Sequence, residues 1–580
     1  MTLTVSRQEP IFIASRRTMR AAQLLAMALA FAPFVPSLQA QVVIAPVKPV
    51  VGSGNTVSAD PRVAVPNTKS CTVTLFTAME FDNYNVNPYN YAPPTACHGP
   101  WAKVVFSADF TVTAGVQFDR TGQFYLGGAN IYFGTTAEPA GNLSPSWHVE
   151  RDVTDLSALL ATPQTGTAIL GNTVNSTYTG IVYANAHLTF YEASWQAPAP
   201  AVPSLVVGLP GDSGAAILNT SSSVYTQAIT FPTNVTSAYL DVIAQSQIGD
   251  EFWYTCVPNN LTTELESCGN TGFRETEITI DGVPAGVAPV YPWIYTGGFD
   301  PYLWAPLPGV QTLNLVPYRV DLTPFAAELS NGKTHTVGIQ VYNANGYFQA
   351  AANLLVFTDP FLKKVTGGLD SNTLAAEPDP TITNNLKTDA SGDVTGAVKT
   401  VSNRKYSIAG WVNTFLGPVK TTVNRTVDFT QTATFDLTDS VYVQDVAQTT
   451  QVVGDTATDI DGFTLHQTSN YTYPFSFDYA YTVNTDGSSY QTVKVNQLDQ
   501  VKTSEGLGGP LSYGTTLSNQ VIAQDTLNFD ASGNFTGNTA NSSSQNYVST
   551  DLLGGCYSEK LTSAAGILTS AVSGTGCKPR

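Results

Sequence analysis

Charge is scarce in this sequence, and positive charge is scarcest. Only 12% of the 580 residues are Asp, Glu, Lys or Arg, and 26 Lys and Arg face 44 Asp and Glu. A net charge of −18 repels phosphate backbones, so nucleic acid is excluded as a partner. Histidines number five and are scattered, and no Cys-x-x-Cys pair occurs, so neither a metal site nor any other cofactor is expected. Beyond the first forty residues no run reaches eighteen consecutive apolar residues, which excludes a later membrane-spanning helix. Apolar poverty is not among the deficits. Aromatic residues make up 11%, and Thr, Ser, Asn and Gly are abundant, a composition that suits pleated, half-buried strands rather than disorder.

The N-terminus reads as an export signal. Arg16, Arg17 and Arg20 precede the uncharged apolar stretch Ala21 to Phe34, and Leu38-Gln39-Ala40 places a small residue at a cleavage point before Gln41. Removing residues 1–40 takes four Arg and one Glu, leaving a net charge of −21 on a secreted or periplasmic protein that no longer contacts the membrane. The six cysteines fall in three sequence-local couples, Cys71/Cys97, Cys256/Cys268 and Cys556/Cys577. An even count in an exported chain predicts disulfides, and nearest-neighbour pairing is expected among the fifteen possible connectivities.

Length and pattern predict an all-β protein of several domains. Residues 41–69 read as a linker, with order starting near Ser70. Over 70–200 the strands are short, as in Trp101–Phe110 and Gly180–Tyr191, where Val182, Ala184, Ala186 and Leu188 share one face. Asp152–Leu160 reads as one helical turn capped by Thr154 or Asp155. A Pro/Gly/Ser-rich connector, with Gln196–Pro203 at its stiff start, leads through 201–220 to a second region at 221–364. Its strands include Ala238–Ala244, Glu275–Ile280 and His335–Tyr342, and Asp281-Gly282 closes a turn. Regions of this size suit sandwiches or jelly rolls. Residues 365–580 carry long alternating strands such as Lys420–Thr434 and form a third, β-rich domain.

Several carboxylates stand in suggestive company. In Gly115-Val-Gln-Phe-Asp-Arg120, strand alternation places Gln117 and Asp119 on one face, so with Phe118 in the core Asp119 faces a groove. The competing reading is a structural ion pair with a neighbouring Arg. In Asp250-Glu251-Phe252-Trp253, a strand would put Glu251 beside an indole, a pairing suited to sugars. Ile278 and Ile280 aim at the core, which turns Glu275 and Glu277 away from it. The aromatic loops Tyr291–Gly298 and Pro301–Trp304 either stack on sugar rings or plug the space between packed sheets.

Taken in order, these pieces resemble the peptide:N-glycanase A family. The resemblance rests on Cys97-His-Gly-Pro-Trp101, Gly115–Arg120, Thr136-Ala-Glu-Pro139, Trp147 leading into Asp152-Val-Thr154, Gly171-Asn172-Thr-Val-Asn175 with Tyr178-Thr-Gly180, Asp250–Trp253, Phe273-Arg-Glu275, and Ile294–Gly298 with Leu303-Trp304. It implies two consecutive eight-stranded jelly rolls packed side by side, with the site between them. It implies a monomeric amidase that cuts the bond between the first N-acetylglucosamine and asparagine in N-glycopeptides or glycoproteins. Phe118-Asp119-Arg120 is similar to the Trp-Asp-Arg motif of the PNGase F type, which makes Asp119 the first catalytic candidate. The second carboxylate falls to Glu251 or Glu275, because Asn270 stands at the gapless match. Asn172 stands where a further acid would be. Arg120, Asn172, Glu138, Asp250, Trp253, Arg274 and Trp304 are the implied substrate contacts. Two other readings stay open: a non-catalytic glycan-binding jelly roll, and an endo-type glycosidase working through paired carboxylates.

Overall fold

The computed structural model describes residues 49–139, 141–460, 462–507, 511–552 and 554–577. The export signal read at 1–40 lies outside them, as does the start of the 41–69 segment.

The first unit holds β1 (Ser70–Phe81), β2 (Val86–Tyr91), β3 (Trp101–Val112), β4 (Thr121–Leu126), β5 (Ala129–Thr135), β6 (Ser146–Asp152), β7 (Gln164–Leu170) and β8 (Val182–Glu192). They form two antiparallel sheets ordered β1-β8-β3-β6 and β2-β7-β4-β5, the interleaving of a jelly roll. Val182, Ala184, Ala186 and Leu188 of β8 are all fully buried, as their alternation predicts. Small residues on β8 leave room for rings from the opposite sheet. Phe124 and Tyr132 pack there with centroids 5.0 Å apart, and both meet Phe110 of β3, which lies in the same sheet as β8. The helical turn is present as Thr154–Leu156 and Ser157–Leu160, and Val153 takes its cap position without a side-chain cap bond. Asp152 Oδ1 accepts the Thr154 amide at 3.0 Å, and neither Thr154 nor Asp155 serves as the cap.

The second unit repeats the scheme with nine strands rather than the expected eight, because the stretch 201–220 read as a connector supplies two of them. Its strands are β9 (Leu205–Leu209), β10 (Ala216–Leu218), β11 (Val224–Thr230), β12 (Val235–Gln247), β13 (Glu275–Ile280), β14 (Val283–Pro289), β15 (Tyr318–Asp321), β16 (Thr334–Tyr342) and β17 (Tyr347–Thr358). One sheet runs β10-β17-β12-β15 with β9 also on β17, and the other runs β11-β16-β13-β14. Asp281 and Gly282 both take positive φ (51° and 77°) in the two-residue turn between β13 and β14, the conformation a tight hairpin needs. The two jelly rolls meet through polar groups. Gln123 Nε2 donates to Gln349 Oε1 at 2.6 Å, and the Asn130 amide donates to Asn353 Oδ1 at 2.8 Å.

The third unit is one twelve-stranded antiparallel sheet. It opens with β18 (Thr366–Asn372), β19 (Thr381–Asn384) and β20 (Lys387–Thr388), all paired to β21 (Val394–Thr414). It continues as a meander through β22 (Gly417–Leu437), β23 (Val441–Ile460), β24 (Phe463–Val483), β25 (Ser489–Leu507), β26 (Leu511–Phe529), β27 (Phe535–Asp551), β28 (Cys556–Ala564) and β29 (Ile567–Ser573). Alternate residues such as Phe429 and Phe435 of β22 and Phe475 and Phe477 of β24 are buried against the second jelly roll.

Glutamines are interleaved with these rings, and they answer a specific need. The loops under the sheet carry carbonyls cut off from water, which are costly unless bonded. Gln431 Nε2 donates to Tyr254 O, Gln444 to Thr255 O and Gln497 to Pro292 O, each at 2.7 Å, and Gln491 donates to Phe299 O at 3.0 Å.

The 41–69 segment is not a free linker from its middle onward. Val57 and Ala59 are buried with Leu307, Tyr547, Leu561 and Leu568, and the Ala59 amide donates to Gln545 Oε1 at 2.7 Å. Order therefore begins before Ser70. The disulfides are Cys71–Cys97, Cys256–Cys268 and Cys556–Cys577.

Candidate functional site

Gly115–Arg120 does not continue a strand. Gly115 takes φ +139°, and the chain crosses from β3 to β4 as an irregular loop, so alternation does not govern its side chains. This reverses the expected faces. Gln117 is buried and its Nε2 donates to Thr173 O (3.0 Å) and Gly180 O (3.1 Å), while Phe118 points outward with 38% of its surface exposed. The Phe118 ring lies 5.3 Å from that of Tyr178, and the Arg120 guanidinium sits 5.9 Å from the Phe118 centroid. Together they make an open aromatic edge next to Asp119.

Asp119 is placed by contacts from both jelly rolls. Its Oδ2 accepts the Gly297 amide at 2.9 Å, and its own amide donates to Glu138 Oε1 at 3.1 Å. Gly297 belongs to the loop after β14. That loop is tied to the first unit by Thr296 Oγ1, which donates to Thr136 O at 2.8 Å, and to β12 by Tyr295 Oη, which donates to Ser246 O at 2.5 Å. A β-carbon at 297 would lie 2.1 Å from Glu138 Oε1, so any larger residue there must push that carboxyl aside. Gly297→Ala would therefore displace the Glu138 carboxyl and leave the Asp119 amide without its acceptor. Turnover should fall by about 10²-fold, the cost of ångström-scale misplacement. The melting temperature should move by a few degrees at most; an unchanged turnover would deny Gly297 this role.

Glu251 is the third carboxylate of the group. It follows the short turn Ile248–Asp250 at the end of β12, so Glu251 and Trp253 do not share a strand face. Ile248 enters that turn at φ +48°, a conformation that is strained for a β-branched residue, and 74% of it is exposed. The strain is held by what comes next. Asp250 is wholly buried, its Oδ2 accepts the Asn345 and Gly346 amides at 2.6 Å each, and its Oδ1 accepts Arg274 Nη2 at 2.8 Å and Nε at 3.1 Å.

Desolvation dominates the electrostatics of the group. Burial, reinforced by the charge of Asp119, pushes the Glu138 and Glu251 carboxyls up to about 8. Burial also raises Asp119, but the Gly297 amide and Arg120 pull the other way. The Gly297 amide and Arg120 favour the charged form of Asp119 without cancelling the effect of burial, and its charge in turn raises the other two.

The remaining expected contacts fall elsewhere. Asp250 and Arg274 form an interior pair with no exposed side-chain surface, so they support the Glu251 turn and cannot reach a ligand. Glu275 faces away from the core of its sandwich as expected, yet it is sealed by the third sheet, where Arg404 of β21 bonds it and lies 3.5 Å from Glu277. Glu275 is therefore not in the Asp119 group. Trp253 and Trp304 are buried, and the Trp304 indole donates to Gly298 O at 3.0 Å, so neither presents a face to a sugar. The other loop aromatics plug the gap beneath the third sheet. Tyr291 lies 5.1 Å from Tyr473, and Phe299 lies 4.2 Å from Phe477. Asn172 is fully buried, donates to Phe81 O and Gly180 O, and receives Arg120 Nε at 3.4 Å. Arg120 is further held by Gln117 Oε1 at 2.7 Å, on the Phe118 side of the loop. Sequence reasoning missed Gly297 as a backbone donor and Tyr295 as its anchor. The cue available was the pair Gly297-Gly298 inside an otherwise bulky run.

A family model described as peptide N-acetyl-beta-D-glucosaminyl asparaginase amidase A matches residues 61–372. Peptide-N4-(N-acetyl-beta-glucosaminyl)asparagine amidase A of Prunus dulcis is 30% identical over 384 residues, covering 62% of this chain and 66% of that protein. The chain thus spans just under two thirds of that relative's length. Among solved structures, PNGF-II is 13% identical with a TM-score of 0.36, over 50% of this chain and 65% of that one. PNGase F, a glycosylasparaginase from Flavobacterium meningosepticum, is 12% identical with a TM-score of 0.34, over 50% of this chain and 96% of that one. The matched segment takes in more than half of the chain and includes Asp119, Glu138, Glu251 and Gly297, and on that match the chain belongs to the peptide N-acetyl-beta-D-glucosaminyl asparaginase amidase A family.

Proposed function

We propose that this protein hydrolyses the amide joining the first N-acetylglucosamine to asparagine in N-glycopeptides and glycoproteins, with Asp119 as base and Glu251 as acid. The observation that carries the reading is that Asp119 is held between the Gly297 amide and the Glu138 carboxyl, with Glu251 close enough to interact electrostatically with both acids and burial raising all three carboxyls. Amide hydrolysis can use such a group. Asp119 takes a proton from a water molecule as its oxygen attacks the amide carbon. Glu251 returns a proton to the departing nitrogen. Glu138 fixes the Asp119 backbone, and its own carboxyl proton is available to the carbonyl oxygen as charge develops there. The products are a peptide with aspartate in place of asparagine and a glycosylamine, which water converts to the free sugar and ammonia. The open edge of Phe118 and Tyr178 offers a stacking surface for a sugar ring. The three disulfides match an oxidising compartment, so the proposed site of action lies outside the cytosol.

Mass spectrometry of an N-glycopeptide after incubation tests the proposal. Free glycan and a peptide carrying Asp are the expected products. A peptide that keeps one N-acetylglucosamine would instead mark an endo-type glycosidase, and an unchanged glycopeptide would mark a binding protein.

The raised carboxyls also set how stability varies with pH. Glu138 and Glu251 bind protons more tightly in the folded chain than in the unfolded one, where the value is near 4.5. Their stabilising contribution is complete below pH 4.5 and is lost as pH rises through about 8. The protein should melt lower at pH 9 than at pH 5. Glu251→Gln should flatten that slope and be more stable than the parent at pH 9, by a few kcal/mol. Parallel slopes for parent and variant in calorimetry would contradict the assignment.

A further inference from the structure

A rigid apolar tip stands apart from the Asp119 group. Asp359, at the end of β17, is almost fully buried and collects three backbone amides: Phe361 (2.9 Å) and Leu362 (2.8 Å) at Oδ1, and Phe415 (2.8 Å) at Oδ2. Those bonds hold the carboxyl below the usual aspartate range and clamp two turns together. One is the segment between β17 and β18. The other is the two-residue turn Phe415-Leu416 joining β21 to β22. Asn234 Nδ2 adds bonds to Asp359 O and Leu362 O at 2.9 Å each, and Thr233 Oγ1 donates to Lys363 O at 2.9 Å.

What this clamp presents is a pair of Phe-Leu dipeptides. Phe361 is 73% exposed, Leu416 58%, Phe415 45% and Leu362 37%, and the two phenyl rings meet edge-on at 4.6 Å. Lys363 and Lys364 follow directly and are exposed, in a chain where cations are few. Scattered exposed apolar residues are ordinary, but four on two turns locked by one carboxylate form a fixed feature.

We propose that this tip docks the protein on a lipid surface carrying anionic headgroups. Its side chains project from turns, so they suit insertion between headgroups better than the groove a folded partner would have to supply. The lysines lie where a shallow insertion brings them level with phosphates. This departs from the expectation that the exported chain makes no membrane contact: its net charge of −21 gives no overall attraction to phosphates, and the attraction is local to Lys363 and Lys364 because screening confines each charge to about 10 Å. Neither the tip nor its clamp is part of the Asp119 group, so docking is independent of the proposed amidase chemistry.

Co-flotation of the full chain with two kinds of vesicle tests the proposal: phosphatidylcholine alone, and equal parts of phosphatidylcholine and phosphatidylglycerol. The parent should bind the mixed vesicles preferentially. Phe361→Ser/Phe415→Ser should weaken that binding by roughly tenfold or more. Lys363→Gln/Lys364→Gln should remove most of the preference for phosphatidylglycerol, again roughly tenfold. Both variants replace exposed side chains and should keep the parental melting temperature and its rate on a soluble glycopeptide. Three results would each overturn the proposal: no binding by the parent, binding indifferent to the variants, or a Phe361-dependent self-association in sedimentation without lipid.

Discussion

Asp119→Asn should reduce glycan release by about 10³-fold or more while leaving glycopeptide affinity close to that of the parent. Asparagine keeps the size of the side chain and an oxygen for the Gly297 amide, so the loop after β14 has no reason to move. What disappears is the group that removes a proton from water. The substitution also takes a costly desolvated charge out of the cleft, so the melting temperature should hold or rise. Loss of that charge removes one cause of the high Glu251 and Glu138 values, and both should fall toward ordinary values in carbonyl NMR titration. Retained turnover in Asp119→Asn would end its assignment as base. Lost turnover with a lost fold would leave Asp119 structural, so the glycopeptide-binding measurement belongs with the kinetics.

Arg274→Met should have the largest effect on stability. The pair it breaks has no exposed side-chain surface on either partner. Removing the cation leaves Asp250 as a buried carboxylate supported only by the Asn345 and Gly346 amides. Breaking a buried pair on one side costs about 3–5 kcal/mol, far more than an exposed pair is worth. The urea midpoint should drop accordingly. Because Asp250 anchors the turn that delivers Glu251, turnover should drop as well, with the greater part of the change in kcat. Asp250→Asn/Arg274→Met should recover part of the stability, since the charge left stranded by the single substitution is gone. A single variant as stable as the parent would mean that the pair contributes nothing.

Local pattern carried much of the fold. The alternation of β8 predicts which side chains meet the core, and Asp281-Gly282 marks its hairpin, because in each case the deciding interactions lie within a few residues. Glu275 shows the limit. Its orientation follows from Ile278 and Ile280, but its burial depends on Arg404, which lies 129 residues away along the chain. The aromatic loops are the same kind of case. Tyr291–Gly298 and Pro301–Trp304 suit a sugar platform and a core plug equally by composition, and only the strands of the third sheet decide for the plug. At the site, Asp119 was legible through the ordered run of motifs, whereas the faces of its neighbours were not. Alternation fails after Gly115, where the chain leaves extended geometry, so Gln117 is buried and Phe118 is exposed. Glu251 over Glu275 was beyond a local reading too, since it depends on a turn locked by the buried Asp250–Arg274 pair.

The glutamines of the third sheet impose an order of events on a chain made from its N-terminus. Tyr254, Pro292 and Phe299 are synthesised long before Gln431, Gln497 and Gln491, the last two pairs being 205 and 192 residues apart. Until those partners arrive, the second jelly roll leaves these carbonyls and the neighbouring apolar rings exposed to water. Such an intermediate is prone to aggregate and invites chaperones. On the proposed function, activity would then require completed synthesis: a chain stopped after the second jelly roll would contain every residue of the carboxylate group and still lack the surface that packs on its loop.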